Sequence, residues 1–151
     1  MVTPTDKITT IATAEKEVRD TNDQFYTALN AMFTGEFAPI EAMWSHQSDI
    51  SYRGPFDDNM NGWAAVGPEF KKVAEMKLGG RITCNNLVIR AGENLGYAVC
   101  VEEGENNGPD GKMVKVSHRA TSIFRRENGQ WKLVHHHTDL SPQLGKAVAI
   151  A

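Results

Sequence analysis

Hydrophobic positions along the chain follow two periods, and the change between them divides it. Over residues 7–33, Ile8, Ile11, Val18, Phe25, Leu29 and Met32 recur at spacings of three, four or seven, which places them on one face of an α-helix. Asp6 stands where an N-cap belongs, and Gly35 lies just past the end. "FAPIEAMW" (37–44) predicts a second, short helix with Ile40, Met43 and Trp44 as its apolar face. Its Pro39 falls in the first turn, where a missing N–H costs least. "SDISYRG" (48–54) reads as a short strand, ended by the turn-rich "GPFDDNMNG". Residues 63–78 return to the helical period through Trp63, Val66, Phe70 and Val73, and Gly79-Gly80 stops them.

From residue 81 the period becomes two. "RITCNNLVIRA" (81–91) and "LGYAVCVEEGE" (95–105) flank a tight "GEN" turn. The loop "NNGPDGK" leads into "MVKVSHRATSIFRR" (113–126), and an "ENG" hairpin turn into "QWKLVHHHTDL" (130–140). Helices followed by an antiparallel meander predict an α+β architecture, with the helices on one face of a sheet. No repeat or linker interrupts the pattern, so residues 1–151 read as a single domain with tails at about 1–6 and 143–151.

Alternation also divides the three consecutive histidines. Trp131, Leu133, His135 and His137 share one face, and Lys132, Val134, His136 and Thr138 share the other. In the preceding strand His118, Ala120, Ser122 and Phe124 form one set and Ser117, Arg119, Thr121 and Ile123 the opposite one. The histidines therefore cannot act as one cluster.

Composition narrows the function class. Of 151 residues, 40% are hydrophobic and 23% charged, as in an ordinary globular domain with one continuous core. The formal charge of −3 and the absence of a basic stripe argue against nucleic acid. Cys84 and Cys100 are not a CxxC pair and read as free thiols of a reducing compartment. The N-terminal stretch lacks a basic n-region and an apolar h-region, and no apolar run reaches ~18 residues. A cytoplasmic protein without a membrane partner is expected.

The order helix–helix–strand–helix–meander, closing in "ATSIFRRENGQWKLVHHHTDLS", resembles the SnoaL-like branch of the nuclear transport factor two-like (NTF2-like) superfamily. "SDISYRGP" followed by "GWAAV" fits that family's first strand and third helix, and the likeness spans residues 7–142. It implies a cone: N-terminal helices in the concave face of a strongly curved antiparallel sheet, with a pocket between them. It also implies a homodimer joined through the outer sheet face. Pocket groups of the family fall here at Ser122 and Thr138. By alternation His118, Ala120, Val134 and His136 share that side, with Tyr52 and Gly54 from the first strand and Trp63 among the wall residues. Trp131, Leu133, His135 and His137 would face a partner subunit.

Several chemistries can be weighed on these residues. A metal would use His135 and His137, aimed in one direction by their spacing, but no third ligand stands nearby, so none is assigned. Nothing calls for a cofactor. An acid–base site would use His136 with His118, imidazole being suited to proton transfer near neutral pH. Ketosteroid isomerases of this fold place a base near Gly54, a tyrosine near Phe25 and an oxyanion aspartate near Ser122, and none of these is retained. The Asp-Arg-Asp set of the fold's epoxide hydrolases has no inward-facing equivalent. Its His-plus-Tyr dehydratases match better by residue type, through Tyr52, His118 and His136. Phe25, Trp44, Trp63 and Phe70 would wall the pocket or simply fill the core. Asp49 and Arg53 read as a surface or interface pair, and residues 57–59 as a solvated loop. The first expectation is a small-molecule-binding domain with a partly apolar pocket. The alternative is a cofactor-free lyase or isomerase with His136 as general acid or base.

Overall fold

A computed structural model describes residues 3–55, 58–108 and 110–139, without the side chains of 5–9. Helix α1 runs Pro4–Met32 and buries Ala14, Val18, Phe25 and Met32 along one stripe. Ile11, expected on that stripe, is 46% exposed. Ile8 and the Asp6 cap lie outside the described side chains. Gly35 ends the helix with φ of 105°, a conformation that only glycine adopts cheaply, and donates its N–H to the Met32 carbonyl. Helix α2, Ala38–Met43, carries Pro39 in its first turn and drives Ile40 into the core. Helix α3, Trp63–Met76, buries Val66, Phe70 and Ala74 and stops at Lys77 in the left-handed region. No helix among the described residues is long and apolar enough to cross a membrane.

The strands are β1 (Ser51–Arg53), β2 (Met60–Asn61), β3 (Arg81–Ala91), β4 (Leu95–Asn107), β5 (Met113–Glu127) and β6 (Gln130–Asp139). They form one sheet in the order β2-β1-β6-β5-β4-β3, antiparallel throughout except for β1 beside β6. The expected strand at 48–54 contracts to three residues, and β2 pairs with it from a stretch that reads as turn. Leu140 and residues 141–151 lie outside the described residues.

The last strand corrects the expected faces. Ile123 pairs with His135 but Phe124 with Leu133, so Val134 is an additional residue, a β-bulge. Before it, Trp131 and Leu133 point into the core, 8% and 0% exposed; after it, His136 and Thr138 do. The partner-facing role expected of Trp131 and Leu133 therefore fails: their own chain covers them. Leaving either exposed would forgo about 2 kcal/mol of apolar burial, and the bulge is what brings both halves of the strand inward. The Trp131 indole N–H also donates to the Glu17 carboxylate at 2.8 Å. His135 and His137 do lie on the outer face, His135 half-buried with its Nδ1 2.7 Å from Ser51 Oγ. The expected Asp49–Arg53 pair is also absent. Asp49 binds Arg125, and Arg53 donates to the carbonyls of Tyr52 and Met60 and to Asn61.

Candidate functional site

Five strands set the polar side chains of the inward face in rows. Tyr52 lies beside His136, which pairs with Ser122; Thr138 pairs with Ala120; His118 pairs with Glu102, itself beside Cys84. The middle row is small at its centre. Over the methyl group of Ala120, the long Glu102 side chain reaches His136 Nε2 at 3.3 Å and His118 Nδ1 at 3.5 Å. Tyr26, one turn after Asn22 on α1, approaches from the helix side and donates its O–H to Glu102 Oε2 at 2.8 Å.

Glu102 is the centre of this cluster and is 2% exposed. Burial alone pushes its carboxyl pKa up, but hydrogen bonds from His118, His136 and Tyr26 and the charge of His136 outweigh it, holding the value at about 2. Glu102 is thus an anion deep in the fold. Burial, with the charge of Glu102, raises Tyr26 far above the ordinary phenol value, so it stays a donor.

An anionic Glu102 only accepts, which fixes the imidazole of His136. Its Nε2 carries a proton toward Glu102, and its Nδ1 lies 2.8 Å from Ser122 Oγ, within hydrogen-bond reach. Both nitrogens of His136 are engaged. His118 differs: only Nδ1 faces Glu102, and its side chain is 17% exposed against 7% for His136. His118 is the more accessible of the two imidazoles.

Aromatic rings hold the arrangement. Phe25 packs on His136 at 5.0 Å, Tyr52 lies parallel to it at 6.3 Å, and Phe70 and Trp44 stand edge-on to Tyr52 at 4.9 and 6.3 Å. Trp63 stacks instead on His46 at 4.3 Å. Two buried donors in this region, Trp44 Nε1 and Thr138 Oγ1, have no hydrogen-bond partner among the described residues.

Tyr52, His118, Ser122, His136 and Thr138 therefore share one face, as the strand pattern implies, while Trp63 sits apart on His46. Sequence reasoning missed Glu102 and Tyr26. Glu102 was readable by phase, since Ala98 and Cys100 alternate with it toward the interior. Tyr26 adjoins Phe25 on the buried stripe of α1. Among the described residues no group of three or more His, Cys, Asp or Glu is placed to hold a metal. Two surface depressions, of about 290 and 390 Å³, lie elsewhere, one around Arg90, Leu95 and Tyr97 and one around Asp49, Arg125 and Glu127. Neither reaches Glu102. The first lies at the β3–β4 turn beside Glu15 of α1 and the second is lined by paired charges, so the chemistry at Glu102 is the stronger guide to a site.

Known structures share this architecture. A protein of Streptomyces avermitilis, provisionally named a dehydratase of the NTF2-like family, superposes with a TM-score of 0.73 at 21% identity, over 86% of this chain and 99% of that one. An NTF2-like protein of unknown function from Pseudomonas putida gives 0.69 at 19%, over 86% and 89%. The association domain of the Caenorhabditis elegans kinase CaMKII gives 0.66 at 14%, over 85% and 98%. At such identities the likeness is one of fold. Among curated proteins no sequence matches. The SnoaL-like domain family matches residues 18–141, most of the chain and every element of the site, and this protein belongs to that family.

Proposed function

We propose that this SnoaL-like domain binds a small, partly apolar organic molecule at the mouth of the inward sheet face. Tyr52, His118 and Thr138 would touch it, with Ser122 and His136 behind them. One observation carries the reading: the ionised, buried Glu102, held by Tyr26 and two histidines. Removing a carboxylate from water costs several kcal/mol, which here Tyr26, His118 and His136 together offset, and buried charges held by such converging groups concentrate where proteins bind and react. The test is a ligand-observed NMR screen of neutral aromatic and alicyclic fragments, followed on the histidine ring resonances. Binders are expected to shift His118 most and His136 next; binders that move neither would refute the placement.

A second reading, a cofactor-free lyase or isomerase, is favoured by the Glu102 carboxylate behind His118. Glu102 would orient the ring and stabilise its protonated form while Nε2 exchanges a proton with the ligand. Because both nitrogens of His136 are engaged, the general acid–base role moves from His136 to His118, and His136 becomes a positioning residue. The provisional name of the Streptomyces neighbour points the same way. If a substrate emerges from the screen, His118→Gln should lower kcat by roughly 100-fold or more while leaving binding within a few-fold. Equal turnover by this variant would end the catalytic reading.

Self-association belongs to the same proposal. Val88 and Tyr97 are exposed on the outer face beside Ile123 and His135, and an oligomerising domain is among the structural neighbours. Sedimentation at micromolar concentration should give a dimer; a monomer alone would contradict it.

A further inference from the structure

The β-bulge at Val134 leaves His135 and His137 side by side on the outer face of β6. Their ring centroids are 6.2 Å apart, with the planes at 77°. His137 is exposed and His135 half-buried. The Nδ1 of His135 stands 2.7 Å from Ser51 Oγ on β1, which anchors one edge of that ring and leaves Nε2 at the other.

Histidines two apart on a strand point to the same side, and imidazole nitrogen is a favoured ligand of Zn2+, Cu2+ and Ni2+. Held through one nitrogen of each ring at about 2.1 Å, a tetrahedral ion sets the two centroids about 5 Å apart. The observed 6.2 Å is about 1 Å wider, a gap that rotation of the exposed His137 side chain closes. A metal on Nε2 of His135 requires the proton on Nδ1, and Ser51 Oγ stands ready to accept it. Neighbouring charges set the limits. Arg53, beside His137, is adverse, but its guanidinium is turned to the carbonyls of Tyr52 and Met60 and to Asn61. Asp139, next along this face, is clamped by Arg119 at 2.9 and 3.0 Å and is not free to ligate. One chain therefore offers two ligands here, and a closed tetrahedral shell needs four.

We propose that His135 and His137 form half of a transition-metal site, which the same pair from a second copy of this chain completes. In a two-fold dimer a patch on the axis meets itself, so two imidazoles become four. The pair borders the outer-face stripe of Val88, Tyr97 and Ile123: His135 pairs with Ile123, Ile123 with Tyr97, and His137 with Thr121. An all-nitrogen shell selects a borderline divalent ion, Zn2+ foremost, and disfavours hard ions such as Mg2+ that demand oxygen. This inference rests on the proposed self-association and adds the ion that strengthens it.

The test is sedimentation of the chelator-treated full chain with and without ZnCl2, alongside calorimetric titration of Zn2+ and of Mg2+. One Zn2+ per two chains is expected, with the dimer dissociation constant about tenfold lower in its presence and no response to Mg2+. Zn2+ should shift the ring signals of His135 and His137 and leave that of His136 in place. His135→Gln and His137→Gln should each remove most of the Zn2+ response, whereas His46→Gln, at a ring stacked on Trp63, should keep it. A dimer indifferent to Zn2+ would overturn the metal site and leave self-association standing. Zn2+ bound at one ion per chain without tightening the dimer would overturn it as well, as would a response that survives loss of both histidines. A monomer both with and without Zn2+ would overturn the metal site and self-association together.

Discussion

At one end of the β5–β6 ladder Arg125 is enclosed by acceptors; toward the other end, Glu102 is enclosed by donors. Arg125 forms a bidentate pair with Asp49 at 2.7 and 3.0 Å, and its Nε and Nη2 both donate to Glu127 Oε2 at 3.0 and 2.7 Å. Ser45 closes the set by donating to Glu127 at 2.7 Å. These contacts are short, and the group sits near water. The Glu102 cluster has one short hydrogen bond, from Tyr26, and two long ones, and it sits in the core. The difference separates two uses of charge. The Arg125 network is saturated and ties the end of the sheet to the segment after α2. The Glu102 network instead holds a charge in the core, where only its own donors and no water can satisfy it.

Removing each centre should expose that contrast. Glu102→Ala leaves Tyr26 and His136 buried without their acceptor, and should cost about 4 kcal/mol in denaturant unfolding. A loss below 1 kcal/mol would mean that the cluster is wetter than its burial indicates. Acid should reach the same group. Its folded pKa of about 2 lies below the ordinary 4.5, so its contribution is full above pH 4.5 and fades as pH falls toward 2. At ~1.4 kcal/mol per unit this is worth about 3 kcal/mol. Glu102→Gln should flatten that limb of the stability–pH curve; an unchanged curve would locate acid sensitivity elsewhere.

Ala120→Leu tests the bare patch over which Glu102 and His136 meet. Overpacking there should cost about 2 kcal/mol and push the His136 ring signal toward that of an unpaired imidazole. Arg125→Met, at a side chain 30% exposed, should cost only about 1 kcal/mol, and 1 M salt should remove most of the difference. Salt should leave the Glu102→Ala loss almost intact. Smallest is Thr138→Val, which deletes a buried hydroxyl without a partner among the described residues and should stabilise the fold by up to about 1 kcal/mol. A destabilised Thr138→Val would show that the hydroxyl is already satisfied.

Much of this architecture was legible from period alone. The span of β3 was read to the residue, and β4, β5 and β6 to within two, because long alternating runs flanked by Gly-containing turns leave little choice. The bulge at Val134 was not legible. Valine fits a regular strand, and what pulls Trp131 and Leu133 inward is the unfilled core beneath them, which no local pattern records. The same bulge explains why His136 and Thr138 face inward as alternation implies while Trp131 and Leu133 face inward against it: the phase holds on one side of it only. Glu102 was overlooked for another reason. A glutamate in "VEEGE" reads as surface, and only the register across two strands shows the Tyr26, His118 and His136 side chains that admit it.

Val134 also governs how this strand can change over time. With one residue fewer, a regular ladder could keep Trp131 and Leu133 inside or His136 and Thr138 inside, but never both. A deletion anywhere between Leu133 and His135 would therefore exchange the hydrophobic anchor for the chemistry, or the reverse. Substitutions can tune either half freely, whereas length is held fixed by the need to serve both. Gaps at this point should be the rarest change among functional descendants of the chain.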